Sequence, residues 1–144
     1  MVDRDRGLEI LQVLEQILAE LRGYAPIPSE RVVGDRQLQS AVRYALLTAI
    51  QCVLDLGLHA LTDAGVGRPQ DNRTIIRALG ERGIIPPELA RRVEGMAGFR
   101  NLLVHAYAIV DSSIVDSHLR NRLGDLETMA RTLREFVTRQ RPEN

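Results

Sequence analysis

Lysine and tryptophan are absent from this sequence, cysteine occurs once, and aromatic residues fill 3% of its 144 positions. Each shortage closes an avenue. The lone Cys52 cannot form an intramolecular disulfide, and its setting in Ala49-Ile50-Gln51-Cys52-Val53-Leu54 suits a small buried hydrophobe. With so few rings the core has to be aliphatic, and a 44% hydrophobic content supplies it from Leu, Ile, Val and Ala. A chain of this size buries roughly 70% of its unfolded surface, so neither metal nor disulfide is needed to hold it. Net charge is also lacking, because nineteen basic residues, all arginine, balance nineteen acidic ones. No global attraction to nucleic acid or anionic membrane follows, and such a partner must be held by a local cluster of charge. No uninterrupted apolar run reaches about eighteen residues, and Met1 to Gly7 is charged rather than signal-like. The expectation is a soluble, cytoplasmic protein.

What is present is helical periodicity. From Asp3 to Arg22, Leu8, Leu11, Leu14, Leu18 and Leu21 recur at steps of three and four, and Pro26 and Pro28 end the pattern. Ser29-Glu30 can open a short turn. From Asp35 to Asp63 the apolar residues keep helical register without a proline, until Gly65, Gly67 and Pro69 close the element. A shorter helix capped by Asp71 or Asn72 runs to Leu79. Another starts at Pro87, where the missing N–H costs nothing, and reaches Tyr107. Ser112 or Ser113 caps a last, long helix carrying Val115, Leu119, Leu123, Leu126, Met129 and Leu133. No strand-like alternation and no repeat occurs. The reading is all-α, an up-and-down bundle of about five helices, with one domain over residues 1–138 and a frayed polar tail at 139–144.

The histidines locate the chemistry. His59 has one carboxylate, Asp55, at helical spacing, too few for a metal site, and reads as a structural or surface histidine; His118 reads as part of a solvated face. His105 differs because of its neighbours, Arg100-Asn101-Leu102-Leu103-Val104-His105-Ala106-Tyr107. At about 100° per residue with Arg100 at zero, Tyr107 falls near about −20°, Val104 about 40°, Asn101 about 100° and His105 about 140°. Phe99, Leu102, Leu103 and Ala106 take the opposite arc and should face the core. An imidazole that titrates near neutrality and a guanidinium that forks onto phosphate suit cleavage of an RNA phosphodiester without metal or cofactor. His105 would be general acid or base, Arg100 would stabilise the phosphorane, and Asn101 would orient the imidazole or bind phosphate. One histidine is a sparse apparatus, which a homodimer facing two such arcs would double. Val104, continued by Leu89, Val93 and Met96, offers an apolar stripe for that contact; the other account is a central helix buried on several sides.

Read as R-N-x3-H-x-Y, the octapeptide resembles the R-x4-H-x-Y motif of the HepT-like toxins, a branch of the HEPN domains. Ala49 to Asp55, Gly83-Ile84-Ile85-Pro86, Met96 to Tyr107 and Val110-Asp111 resemble that family in order and spacing, from about residue 35 to 137. The resemblance implies a homodimeric HEPN fold and a metal-independent endoribonuclease with Arg100 and His105 as catalytic pair. It also implies the toxin of a type VII toxin–antitoxin system, neutralised when an MntA-type minimal nucleotidyltransferase transfers AMP to the motif tyrosine, by position Tyr107. On the helical wheel an AMP there would put a phosphate beside Arg100. Two departures stand out: Ala106 replaces a frequent glycine, and residues 23–34 match nothing in the family. The competing reading is a non-catalytic module whose arc docks a nucleotide or a partner protein. Arg91 and Arg92 are expected to add positive charge near the cleft.

Overall fold

The computed structural model describes residues 4–139, and these form six α-helices and one 3-10 turn, with no strand among them. In chain order they are α1 (Arg4–Tyr24), α2 (Ser29–Gly34), α3 (Arg36–Asp63), α4 (Asn72–Glu81), α5 (Pro87–His105), the 3-10 turn Tyr107–Ile109, and α6 (Ser112–Arg139). The all-α bundle stands as the sequence indicates. Of the expected tail, Arg139 ends α6, and residues 140–144 lie outside the described residues.

Helix α3 is the axis of the fold and touches each of the other five α-helices. Its 28 residues span about 42 Å. Among the described residues it is the one helix long and apolar enough to cross a membrane, and 61% of its most apolar window is buried inside the bundle. Helix α1 lays Leu11, Leu14, Leu18 and Leu21 against it, spaced to form one face. Helices α4 and α5 form an antiparallel hairpin. At one end a methyl built on Gly80 would stand 2.7 Å from Ala90 Cβ, so only glycine permits this approach. At the other end Asn72 Nδ2 donates to Asn101 Oδ1 at 3.0 Å. The hairpin therefore sets the first turn of α4 beside the motif half of α5.

Aspartates start three of the six α-helices. Asp35 accepts from the Leu38 N–H at 3.0 Å, Asp71 from the Thr74 N–H at 2.8 Å and Asp111 from the Ser113 N–H at 2.8 Å. The cap of α6 is thus Asp111 rather than Ser112 or Ser113. The Ser113 N–H and then the Ser113 hydroxyl hold the Asp111 carboxyl below its ordinary range.

Three expectations about α5 need correction. Leu89, Val93 and Met96 are buried in the monomer, at 1–2% exposure, so they are core and not a dimer stripe. Leu102, expected inside, is 52% exposed. Both follow from one fact: the buried seam of α5 runs through Leu89, Val93, Met96 and Leu103, and Leu102 lies about 100° off it. Helix α5 also stops at His105. Ala106 leaves the helical region at φ −138° and ψ 34°, and the Tyr107 and Val110 carbonyls accept from Arg43, the first of them alongside the Val110 N–H at 3.4 Å.

Candidate active site

Arg100 lies on the buried seam of α5 and therefore points at α3. Its Nε donates to Gln51 Oε1 at 2.9 Å and its Nη1 to Asn101 Oδ1 at 3.0 Å. Gln51 is held in turn, because its Nε2 donates to Asp55 Oδ1 at 2.8 Å. Asn101 Oδ1 is shared with Asn72 Nδ2 of α4. Neutral acceptors thus fix the guanidinium plane while leaving its charge uncompensated, and among the described residues Nη2 has no hydrogen-bond partner. Such a group is preorganised for an oxyanion. Asn101 orients Arg100; it makes no bond to His105, the role the sequence allowed it.

His105, the last residue of α5, is exposed and makes no side-chain hydrogen bond among the described residues. It lines a groove of about 560 Å³ with Arg73, Gly98, Asn101 and His118. Arg100 does not line it. The arc drawn on the helical wheel is therefore divided, Arg100 toward α3 and His105 toward α6, with Asn101 between them belonging to both.

His118 is the residue that sequence reasoning misplaced. Its ring stacks on Phe99 with centroids 3.7 Å apart and planes 10° from parallel, and its Nδ1 donates to the Ile114 carbonyl at 3.0 Å. In the neutral ring that leaves Nε2 as an acceptor in the groove that holds His105. Burial pushes its pKa below 6.5, the Ile114 carbonyl opposes this, and Arg122 adds to the lowering. The available signal was the spacing Ile114-His118-Arg122, one side of α6. A consequence follows for pH. As pH falls through about 6.5 the unfolded chain takes up a proton before the folded one does, so stability drops between that value and the lower folded pKa. Urea midpoints measured across this range should fall more steeply for the natural chain than for His118→Gln, and parallel profiles would contradict the assignment.

Tyr107 stands beyond the break at Ala106, so the wheel angle that put it beside Arg100 does not hold. Its ring is 43% exposed and lies over Arg43, whose Cζ is 5.1 Å from the ring centroid. Arg43 itself is 8% exposed and among the described residues makes no ion pair. Its Nη1 donates to the Tyr107 carbonyl at 2.8 Å, Nη2 to the Val110 carbonyl at 2.6 Å, and Nε to Gln39 Oε1 at 2.9 Å. The sequence signal was an arginine in the buried stripe of α3, between Gln39 and Leu46.

His59 is buried at 7% exposure against Gly7, which agrees with a structural histidine. Cys52 is half-buried, and burial followed by nearby Asp55 raises its thiol pKa. Arg91 and Arg92 are exposed, and Arg92 Nε pairs with Asp125 at 3.1 Å. Among the described residues no three His, Cys, Asp or Glu side chains gather where they could hold a metal ion.

The family profile described as Ribonuclease HepT-like matches residues 14–133. The chain belongs to this family. A protein of Archaeoglobus fulgidus, provisionally named an RNase, is 32% identical to this HepT-like chain over 136 residues, 94% of this chain and 91% of the relative. A tRNA nuclease HepT of Aphanizomenon flos-aquae is 24% identical over 93% of this chain and 91% of its own. The fold is similar to that of the Shewanella oneidensis HEPN toxin, solved tri-AMPylated in complex with an MNT antitoxin. The TM-score is 0.81 at 21% identity, covering 94% of this chain and 99% of the other. The HepT-like chain thus has the HEPN fold expected from its motif.

Proposed function

We propose that this HepT-like protein, as one HEPN domain, is the ribonuclease toxin of a toxin–antitoxin pair and acts in the cytoplasm as a homodimer without metal or cofactor. The observation that carries the reading is the Arg100 guanidinium, fixed by Gln51 and Asn101 with its charge uncompensated, on the helix that ends in an unbonded His105. In the reaction a 2′-hydroxyl loses its proton to one imidazole and attacks the phosphorus, the P–O5′ bond breaks, and the departing 5′-oxygen takes a proton from the other imidazole, leaving a 2′,3′-cyclic phosphate and a 5′-hydroxyl, with His105 as the base or the acid. Arg100 stabilises the extra negative charge of the phosphorane, and Asn101 keeps Arg100 in place. A second copy supplies the second imidazole and guanidinium. Five of the eight large exposed hydrophobics, Leu102, Val104, Tyr107, Ile109 and Ile114, surround the motif and supply the contact in place of the buried stripe.

Tyr107 is the acceptor for AMP from an MntA-type nucleotidyltransferase. Its exposed ring gives the hydroxyl access, and an attached phosphate would draw the Arg43 guanidinium beneath it while its bulk fills the dimer cleft. The test is incubation of the purified protein with total bacterial RNA in EDTA beside His105→Ala. Cleavage lost with His105 supports the nuclease, and equal cleavage by both proteins overturns it in favour of a non-catalytic binding module. With an MntA-type enzyme and ATP, intact mass rises by AMP-sized increments that Tyr107→Phe abolishes; an unchanged gain in that variant excludes the site.

A further inference from the structure

Arg73 has no assigned task, yet the fold makes room for it. A methyl built on Gly98 would overlap Arg73 Nη2 and stand 2.9 Å from Cζ, so the guanidinium of α4 reaches α5 Nη2-first at a place that a side chain on residue 98 would occupy. That places a cation in the wall of the groove that holds His105, Asn101 and His118. Among the described residues Arg73 makes no ion pair or side-chain hydrogen bond, although the Asp71 carboxylate feels its charge at longer range. The nearest acid in sequence, Asp71, is engaged as the α4 cap, bonded to the Thr74 N–H and hydroxyl at 2.8 and 2.7 Å.

The groove continues away from His105. Residues Arg91, Gly95, Gly98, Leu102 and His105 recur at steps of four, three, four and three, one face of α5, opposite the buried seam. Gly95 lines both this groove and an adjoining one bordered by Arg91, Arg92 and Arg122. Along the two, four arginines face two carboxylates, Glu88 and the Asp125 that pairs with Arg92 and Arg122. A chain with no net charge therefore carries a positive track. It starts at the imidazole and rises about 21 Å along α5 to Arg91.

We propose that Arg73 binds an RNA phosphate adjoining the one that is cut, and that the strand runs from there along the glycine side of α5 toward Arg91, Arg92 and Arg122. This rests on the ribonuclease reading above. Arg73 makes its contact in ground state and transition state alike, so its loss raises KM and leaves kcat nearly unchanged, unlike loss of a group that meets developing charge.

The experiment uses a short single-stranded RNA with 2′-O-methyl groups throughout, which cannot supply the attacking hydroxyl, and reads its binding to the full chain across a salt series. Arg73→Gln should bind roughly three- to tenfold more weakly at low salt, with the slope of log K against log salt shallower by about 0.7, the value for one lost phosphate contact on a single strand. Arg139→Gln removes equal charge about 31 Å further along α6 than His118 and should leave the slope unchanged. Gly98→Ala pushes the flexible Arg73 side chain aside, so it should weaken binding as Arg73→Gln does, and the double variant should be no weaker than either single one. Melting curves confirm that all variants fold. If the natural chain cuts RNA but Arg73→Gln matches it in affinity and slope, or matches Arg139→Gln, the Arg73 assignment is overturned. If the natural chain neither binds nor cuts RNA, the ribonuclease reading has failed with it.

Discussion

Alanine in place of Arg100 lowers the single-turnover rate of RNA cleavage by about 10²- to 10³-fold, the usual loss when one preorganised donor to a developing oxyanion is removed. The loss falls on kcat rather than KM, because the extra charge on the phosphorane exists only near the transition state. Lysine does not restore the rate. Arg100 bonds Gln51 through Nε and Asn101 through Nη1 and still has Nη2 for phosphate, whereas an ammonium has one nitrogen for all three. Gln51→Leu, which keeps the charge and removes one support, should fall between the natural chain and Arg100→Ala. Rates within threefold of the natural chain for both Arg100→Ala and Arg100→Lys would remove Arg100 from the chemistry.

Arg43→Ala is expected to destabilise the fold by about 2–4 kcal/mol, or roughly 6–12 °C in Tm for a chain of this length. The substitution leaves the Val110 carbonyl and Gln39 Oε1 without their donor, leaves the Tyr107 carbonyl with only the Val110 N–H at 3.4 Å, and opens space beside α3. Lysine cannot bridge the three acceptors, so Arg43→Lys should recover only part of the loss. Amide hydrogen exchange over residues 106–111 should accelerate in both variants by more than exchange in α1. A change in Tm below about 1 °C, with exchange unaltered, would show that the turn holds itself without Arg43.

Much of this was legible before any coordinates, for identifiable reasons. Regular leucine spacing in α1 and α6, prolines at 26, 28, 69, 86 and 87, and aspartates at 35 and 71 mark elements through local chemistry, and the helix starts at Ser29, Arg36, Asn72 and Pro87 fall within one residue of those marks. The motif residues were recognisable by spacing. What failed depended on tertiary contacts. The wheel placed Tyr107 beside Arg100 by assuming that α5 continues, and nothing near Ala106 announces that an arginine sixty-three residues earlier captures the Tyr107 and Val110 carbonyls. Leu102 and the Leu89-Val93-Met96 stripe were exchanged between core and surface because the direction of the seam is set by α3, not by α5 alone. His118 was assigned to solvent because Phe99, its stacking partner, lies on another helix.

The break at Ala106 separates two functional groups by how much of the fold each depends on. Arg100 sits within α5 and is tied through Gln51 to α3, the most embedded helix, so moving its backbone requires parting two core helices. Tyr107 is tied through two carbonyls to one side chain, a connection that a few residues can release while the bundle stays intact. A modifying enzyme that must draw the tyrosine into its own active site can therefore work on a brief local excursion of residues 106–111. Under the proposed function Arg100 stays at rest throughout, so modification of Tyr107 and catalysis by Arg100 would draw on motions of different depth and different frequency.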